Sequence, residues 1–253
     1  MQVTFLGTGT SQGVPVIGCS CEVCASADPR DNRLRSSVWV QVDGLSLVID
    51  TGPDFRQQML QAKVKNLDAV LFTHEHKDHL AGLDDIRAYN FILRRSIDVY
   101  ATPRVQEALK RDFHYIFAED KYPGVPDVDL HTIGNAAFEV GNVQVQPIEV
   151  LHYRLPVLGF RIGDFTYITD ANYIPDEEKE KIYGSKVLVL NALRRQKHIS
   201  HFTLEEALEV ARELNPETTY FTHISHQLGT HEQVARELPS GVGLAYDGLT
   251  ISL

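Results

Sequence analysis

Apolar positions along the chain fall into short runs of two different periods. "QVTFLGT", "SSVWVQV", "LSLVIDT" and "LDAVLFT" are rich in Val, Leu, Ile and Phe between Gly or polar breaks, the pattern of buried strands. "DFRQQMLQA" and "PRVQEALKRDFHYIFA" predict helices, the second with Pro103 near its first turn. A second strand-rich half follows in "FEVGNVQVQPIEV", "LGFRIGDFTYITD" and "KVLVLNAL". "TLEEALEVAREL" opens with Thr203 and Glu206 in a capping-box pattern and continues at helical spacing. The tail predicts a strand over "TTYFTHI", a short helix around "HEQVAREL" and a hairpin over "GLAYDGLTISL". No linker or repeat divides the chain. The order therefore predicts two β-rich halves with helices on their outer faces, a four-layer αββα sandwich in a single domain over residues 1–253.

Composition changes this picture little. Hydrophobic residues make up 43% and charged residues 23%, as in an ordinary globular protein. No run approaches the ~20 apolar residues of a membrane span. "MQVTFLGTGTSQG" lacks the basic segment and apolar core of a secretory signal, so the expected location is cytoplasmic. A formal net charge of −10 argues against extensive binding to nucleic acid or anionic membranes. A small anionic substrate stays open, because metal charge can dominate a pocket.

The chemistry concentrates in "LFTHEHKDHLAGLDD", where His74, His76, Asp78 and His79 fall within six positions after an apolar run. A strand that ends in such a loop can bring these groups to one point. His74 and His76 could hold one ion, with Asp78 and His79 turned toward a second. Imidazole with carboxylate suits Zn²⁺, Mn²⁺ or Fe²⁺ better than Ca²⁺ or Mg²⁺. A solvated turn explains one such histidine more simply than it explains this density. Two ions need further ligands, and three residues stand at the ends of strand-like runs: His152, Asp170 and His223. Asp170 could bridge with its two oxygens. Taken singly, each has an ordinary reading as a turn former or surface residue; their recurrence at strand ends favours the joint one.

All three cysteines, Cys19, Cys21 and Cys24, lie in "CSCEVC". An odd triplet makes a poor disulfide framework, whereas three thiolates with a fourth ligand close a structural zinc site. His226, three residues beyond His223, is the best candidate, with Glu22 or water as alternatives. One loop would then serve both metal sites.

"THEHKDH" resembles the signature of the metallo-β-lactamase superfamily of dinuclear metallohydrolases. "GTGTSQGVP", "SLVIDTGPDFRQQ", "PVLGFRIGD", "YITDANYIP" and "FTHISH" resemble its successive blocks, from near residue 3 to near 230. The resemblance implies the αββα fold, with His74, His76 and His152 on one metal, Asp78, His79 and His223 on the other, and Asp170 between them. Asp50 would be a supporting carboxylate. His201 would act as general acid or phosphate-oxygen stabiliser, with His198 as its rival for the proton. "CSCEVC" with the late "THISH" resembles the phosphodiesterases that open 1,2-cyclic ribose phosphates in phosphonate breakdown. Those are close to tRNA 3′-processing nucleases, whose long tRNA-clamping insertion has no counterpart here.

The expected function is a dinuclear metal-dependent phosphodiesterase that hydrolyses small, cyclic phosphodiesters with a metal-bridging hydroxide. Asp78 would double as an acceptor that orients the nucleophile. The expected metals are two divalent ions, zinc or manganese, and one structural zinc. The rivals are a thioester or lactam hydrolase of the same superfamily, a tRNA 3′-processing-like nuclease, and a metal-binding protein without catalysis. "RAYNFILRRS" could line either a pocket or a homodimer contact. His114, His131 and His231 are assigned no function.

Overall fold

The computed structural model describes residues 1–253. Six strands come first: β1 (Gln2–Gly7), β2 (Ser37–Val42), β3 (Leu45–Ile49), β4 (Ala69–Leu71), β5 (Ile97–Ala101) and β6 (Val128–Thr132). Seven follow: β7 (Phe138–Val140), β8 (Val143–His152), β9 (Leu155–Ile162), β10 (Phe165–Tyr167), β11 (Val187–Asn191), β12 (Thr218–Thr222) and β13 (Val242–Leu244). β14 (Thr250–Ser252) is the last strand. They form two seven-stranded sheets, ordered β14-β1-β2-β3-β4-β5-β6 and β13-β12-β11-β10-β9-β8-β7. In each, one side is antiparallel and the other parallel: β3 to β6 run parallel in the first sheet, β10 to β13 in the second.

The period-two alternation sorts side chains into three cores. Leu47 and Ile49 of β3 point into the core between the sheets, with Phe5, Phe160 and Tyr167. Val48 points the other way, into a core shared with α1 (Phe55–Ala62), α2 (Lys77–Leu80), α3 (Arg87–Leu93) and α4 (Pro103–Asp112). Val189 of β11 and its neighbours Leu188 and Leu190 divide in the same way. The latter two pack with α5 (Asp176–Ile182), α6 (Leu204–Leu214) and α7 (His231–Glu237). The architecture is the αββα sandwich. No helix is long and apolar enough to cross a membrane.

Local signals set several boundaries. The Thr203 hydroxyl accepts from Glu206 N at 3.2 Å, and the Glu206 carboxylate accepts from Thr203 N at 2.9 Å, a capping box that starts α6. Pro103 opens α4 beside the Thr102 cap. That helix stops at Asp112, short of the expected "FHYIFA" continuation. The chain tightens instead into a 3-10 turn at His114–Ile116 that buries Ile116.

The hairpin expected over "GLAYDGLTISL" does not form. β13 pairs in parallel with β12 in the second sheet, and β14 pairs antiparallel with β1 in the first. Alternating apolar residues report a buried face but not the partner strand. Here the carboxylate of Asp247 accepts from the Thr8 hydroxyl at 2.8 Å and from Leu34 N at 2.6 Å, which draws the connection across to the first sheet.

Candidate metal centre

The segments leaving β3, β4, β10 and β12 converge with the last residue of β8. Asp50 and His223 directly follow β3 and β12, and Asp170 lies three residues beyond β10. All three have positive φ, at 65°, 55° and 54°, although none is glycine. Such left-handed backbone costs about 1–3 kcal/mol per residue and persists where the surroundings enforce it. The side chain of Asn191 supplies part of that enforcement. Its Oδ1 accepts from Ala171 N at 2.8 Å and its Nδ2 donates to Ala171 O at 3.0 Å, clamping the turn beside Asp170.

Three histidines are held by one ring nitrogen, leaving the other as a lone pair. His79 Nδ1 donates to Asp50 Oδ2 at 2.7 Å. His74 Nδ1 lies 2.9 Å from the hydroxyl of Thr73, which itself donates to Asp50 Oδ2 at 2.8 Å, so the hydroxyl accepts from His74. His152 Nδ1 donates to Ser200 O at 2.8 Å. Each arrangement turns Nε2 into an acceptor, the form that binds a metal. His79 Nε2 is buried without a hydrogen-bond partner, 3.2 Å from Asp78 Oδ2 and 3.1 Å from Asp170 Oδ2. His74 Nε2 faces His76 Nδ1 at 3.0 Å, and the His76 and His152 rings are 5.1 Å apart. His223 Nδ1 is 3.2 Å from Asp170 Oδ2 and 3.2 Å from the Ser36 hydroxyl.

The electrostatics favour positive charge at His79. Burial opposes charge on His79, yet the carboxylates of Asp170, Asp78 and Asp50 together lift it well above the ordinary histidine range. Burial would raise Asp170, but the imidazoles of His223 and His79 hold it well below the usual carboxylate range. Positive charge at Nε2 between these buried carboxylates can be supplied by a proton or, in its place, by a divalent metal ion of the zinc or manganese type. Burial pushes His201 down to about 3, so its imidazole is neutral at pH 7. Its ring lies 4.5 Å from His152 and 4.9 Å from His223.

The second cluster lies in the loops around residues 19 and 226. His226 Nδ1 is 3.4 Å from Cys19 Sγ, 3.3 Å from Cys21 Sγ and 3.5 Å from Cys24 Sγ. All four ligand atoms lie within 4.8 Å of one another, a compact set that fits one tetrahedral ion. The backbone N–H of Cys24, then His226, lowers the Cys21 thiol to about 6, favouring the thiolate. Glu22 stays outside this cluster and accepts from Gln233 Nε2 at 2.8 Å.

The structure thus brings His74, His76, Asp78, His79, His152, Asp170, His201 and His223 together over Asp50, and Cys19, Cys21, Cys24 and His226 in a separate group. His198 lies outside the centre. Its Nδ1 accepts from Ser200 N at 3.3 Å, and its ring is 5.1 Å from His201. Sequence reasoning missed Thr73, Ser36 and Asn191. Thr73 stands directly before the histidine cluster and was the one with a local signal. It also missed a cleft of about 530 Å³ that opens onto His76 and His152 and is lined by Arg104, Tyr153, Arg154 and Ile199.

A family model described as "Beta-lactamase superfamily domain" matches residues 46–224. A solved structure described as a new diphosphatase from the PhnP family is 42% identical, with a TM-score of 0.93 over 100% of this chain and 97% of that one. An octanoyltransferase of Porphyromonas gingivalis is 40% identical over 252 residues. That match covers 98% of this chain but 51% of the relative, so the chain spans about half of that protein's length. Zinc-bound PqqB from Methylobacterium extorquens, 22% identical with a TM-score of 0.81 and full coverage of both chains, shares the fold.

Proposed function

The chain belongs to the metallo-β-lactamase superfamily; from that membership we propose that it is a metal-dependent hydrolase that cleaves P–O bonds of small phosphodiesters such as cyclic ribose phosphates, and of diphosphate esters. The observation that carries the reading is the cleft at His76 and His152. It presents the guanidinium of Arg154 without a carboxylate partner, beside Arg104, whose charge is offset by Glu75 in the same lining, in a chain whose net charge is −10. Local positive charge at a site in an otherwise acidic protein suits an anionic substrate. The name of the 42% identical structure, a diphosphatase, supports phosphoryl chemistry. The octanoyltransferase name belongs to a protein of about twice this length and supports acyl chemistry less directly.

His74, His76 and His152 would hold one divalent ion, Asp78, His79 and His223 a second, with Asp170 between them. Bound there, the ions would supply Lewis acidity, neutralising phosphate charge and acidifying a water near neutral pH. The protein's own groups do the rest. Asp50 and Thr73 fix the tautomers of His79 and His74. The Asp78 carboxylate would accept a hydrogen bond from the attacking water and orient it. His201, neutral at pH 7, offers a single N–H that would stabilise a phosphate oxygen; protonating the departing alkoxide would require its imidazolium form, which burial disfavours. Cys19, Cys21, Cys24 and His226 would hold a structural zinc that braces the loop carrying His223.

The test is hydrolysis of a panel by protein loaded separately with zinc and manganese. The panel holds a chromogenic phosphodiester, a 2′,3′-cyclic nucleotide, a diphosphate diester, a thioester and a β-lactam, with His76→Ala as the blank. Turnover of the phosphate substrates, lost in the blank, is the expected result. Activity confined to the thioester or lactam would overturn it.

A further inference from the structure

The turn between β8 and β9 is two residues long, Tyr153 and Arg154, and follows His152 directly. Tyr153 has φ of 60°, where a two-residue turn ordinarily carries Gly or Asn. Strain of this kind at a residue adjoining a functional histidine points to a use for the side chain. The turn is built to hold it. Tyr153 N donates to Asn172 Oδ1 at 2.6 Å, and the backbones of Leu151 and Tyr173 bridge beside it.

The ring is not used to fill the core. Tyr153 is 47% exposed, and Ile199, which lines the same cleft from the loop before α6, is 65% exposed. The Arg154 guanidinium lies 5.1 Å from the Tyr153 ring centroid. Arg104 across the cleft is paired with Glu75, whereas Arg154 has no carboxylate partner. A volume of about 530 Å³ is more than a bare cyclic phosphate needs and suits a ligand of several rings. An exposed aromatic ring, an exposed apolar wall and an unpaired guanidinium are the parts of a site for a flat ring joined to an anion.

We infer that the Tyr153–Arg154 turn is the specificity-determining rim of this site, and that it selects phosphodiesters carrying a nucleoside. The base lies between Tyr153 and Ile199, and Arg154 takes an anionic oxygen. This inference rests on the phosphodiesterase reading for its reaction but not for its binding.

Two esters with the same leaving group separate the two ideas: thymidine 5′-(p-nitrophenyl phosphate) and methyl p-nitrophenyl phosphate. The wild type should prefer the nucleoside ester in kcat/KM, with the preference carried by KM. Tyr153→Gly, which relieves the strained backbone and should fold, should lower that preference about tenfold, the size expected from losing one stacked base. Tyr153→Phe should restore it. Equal kcat/KM for the two esters in the wild type, or an undiminished preference in Tyr153→Gly, would overturn the inference while leaving the hydrolytic reading intact. Should neither ester be hydrolysed, the hydrolytic reading falls, and calorimetric binding of thymidine 5′-monophosphate decides the rim. Binding at least tenfold weaker in both Tyr153→Gly and Arg154→Ala supports it, and unchanged binding in either refutes it.

Discussion

Asp50 and His79, 29 residues apart in the chain, meet across 2.7 Å with both side chains fully buried. The pair orients the imidazole, because the Nδ1–H donated to Asp50 turns Nε2 toward Asp78 and Asp170. Asp50 also accepts from Thr73 N at 2.9 Å and from the Thr73 hydroxyl, so three donors converge on one carboxylate. The left-handed backbone of Asp50 and the loop that starts at Thr73 are thereby locked to each other.

Asp50→Asn sets an amide N–H₂ against one of those donors and should loosen the loop. Metal affinity is expected to fall about 10–100-fold, the usual effect of losing a partner that orients a ligand. Competition with a chromogenic chelator measures this. An Asn variant that holds its metal as tightly as the wild type would reduce Asp50 to a packing role.

The cysteine cluster should act on the active site at a distance. His226 is three residues beyond His223, and the intervening backbone is fixed by Ile224 N donating to Thr8 O at 2.9 Å and Thr10 N donating to Ile224 O at 3.1 Å. Cys21→Ser should therefore cost the protein its structural zinc and also lower turnover several-fold, although Cys21 touches no substrate. Metal content by plasma emission and kcat/KM are the two readings. Full activity with unchanged metal content would separate the clusters mechanically.

Much of this centre was legible because its chemistry is local. Four ligand candidates sit in six positions, and the others follow apolar runs that end in a polar residue. What stayed hidden depends on contacts far apart in sequence. Asn191 reads as the end of a strand, and nothing local shows that it clamps the turn after Asp170. The pairing of β14 with β1 joins residues some 250 positions apart, and an alternating pattern carries no information about it. Tyr153 and Arg154 carry no turn signal, since neither residue type favours one.

Gly52 marks a close approach between two parts of the site. A Cβ placed there would overlap the carbonyl oxygen of Asp78, and one at Gly82 would overlap that of Gly52. Gly52→Ala should push the segment bearing Asp78 away, costing about 1–3 kcal/mol as other forced insertions into packed sites do. Gly134→Ala has no neighbour within 4 Å and serves as the control. Calorimetry should show a melting point lowered only in the first variant, together with reduced metal content. A Gly52→Ala protein that melts with the wild type would mean the loop gives way freely.

His231 provides a pH dependence away from both metal clusters. Its Nδ1 accepts from Arg33 Nη2 at 3.2 Å, and its backbone N–H donates to Asp31 Oδ1 at 2.7 Å, so the ring is held neutral against a buried guanidinium. Burial, then Arg33 and Arg30, lower it to about 4. In the unfolded chain a histidine titrates near ~6.5. The folded state thus binds fewer protons between those values, and the stability this group contributes is complete above ~6.5 and lost as pH falls toward about 4. At pH 5.5 the loss should be about 1 kcal/mol relative to pH 7.5. His231→Gln keeps an acceptor for Arg33 and cannot ionise. The difference in melting temperature between wild type and variant should move by about 2–4 °C in favour of the variant across that interval. Because the metal clusters are common to both proteins, their own acid sensitivity cancels in the comparison. A difference that stays flat with pH would mean that the ring is already protonated beside Arg33, contrary to the hydrogen bond it accepts.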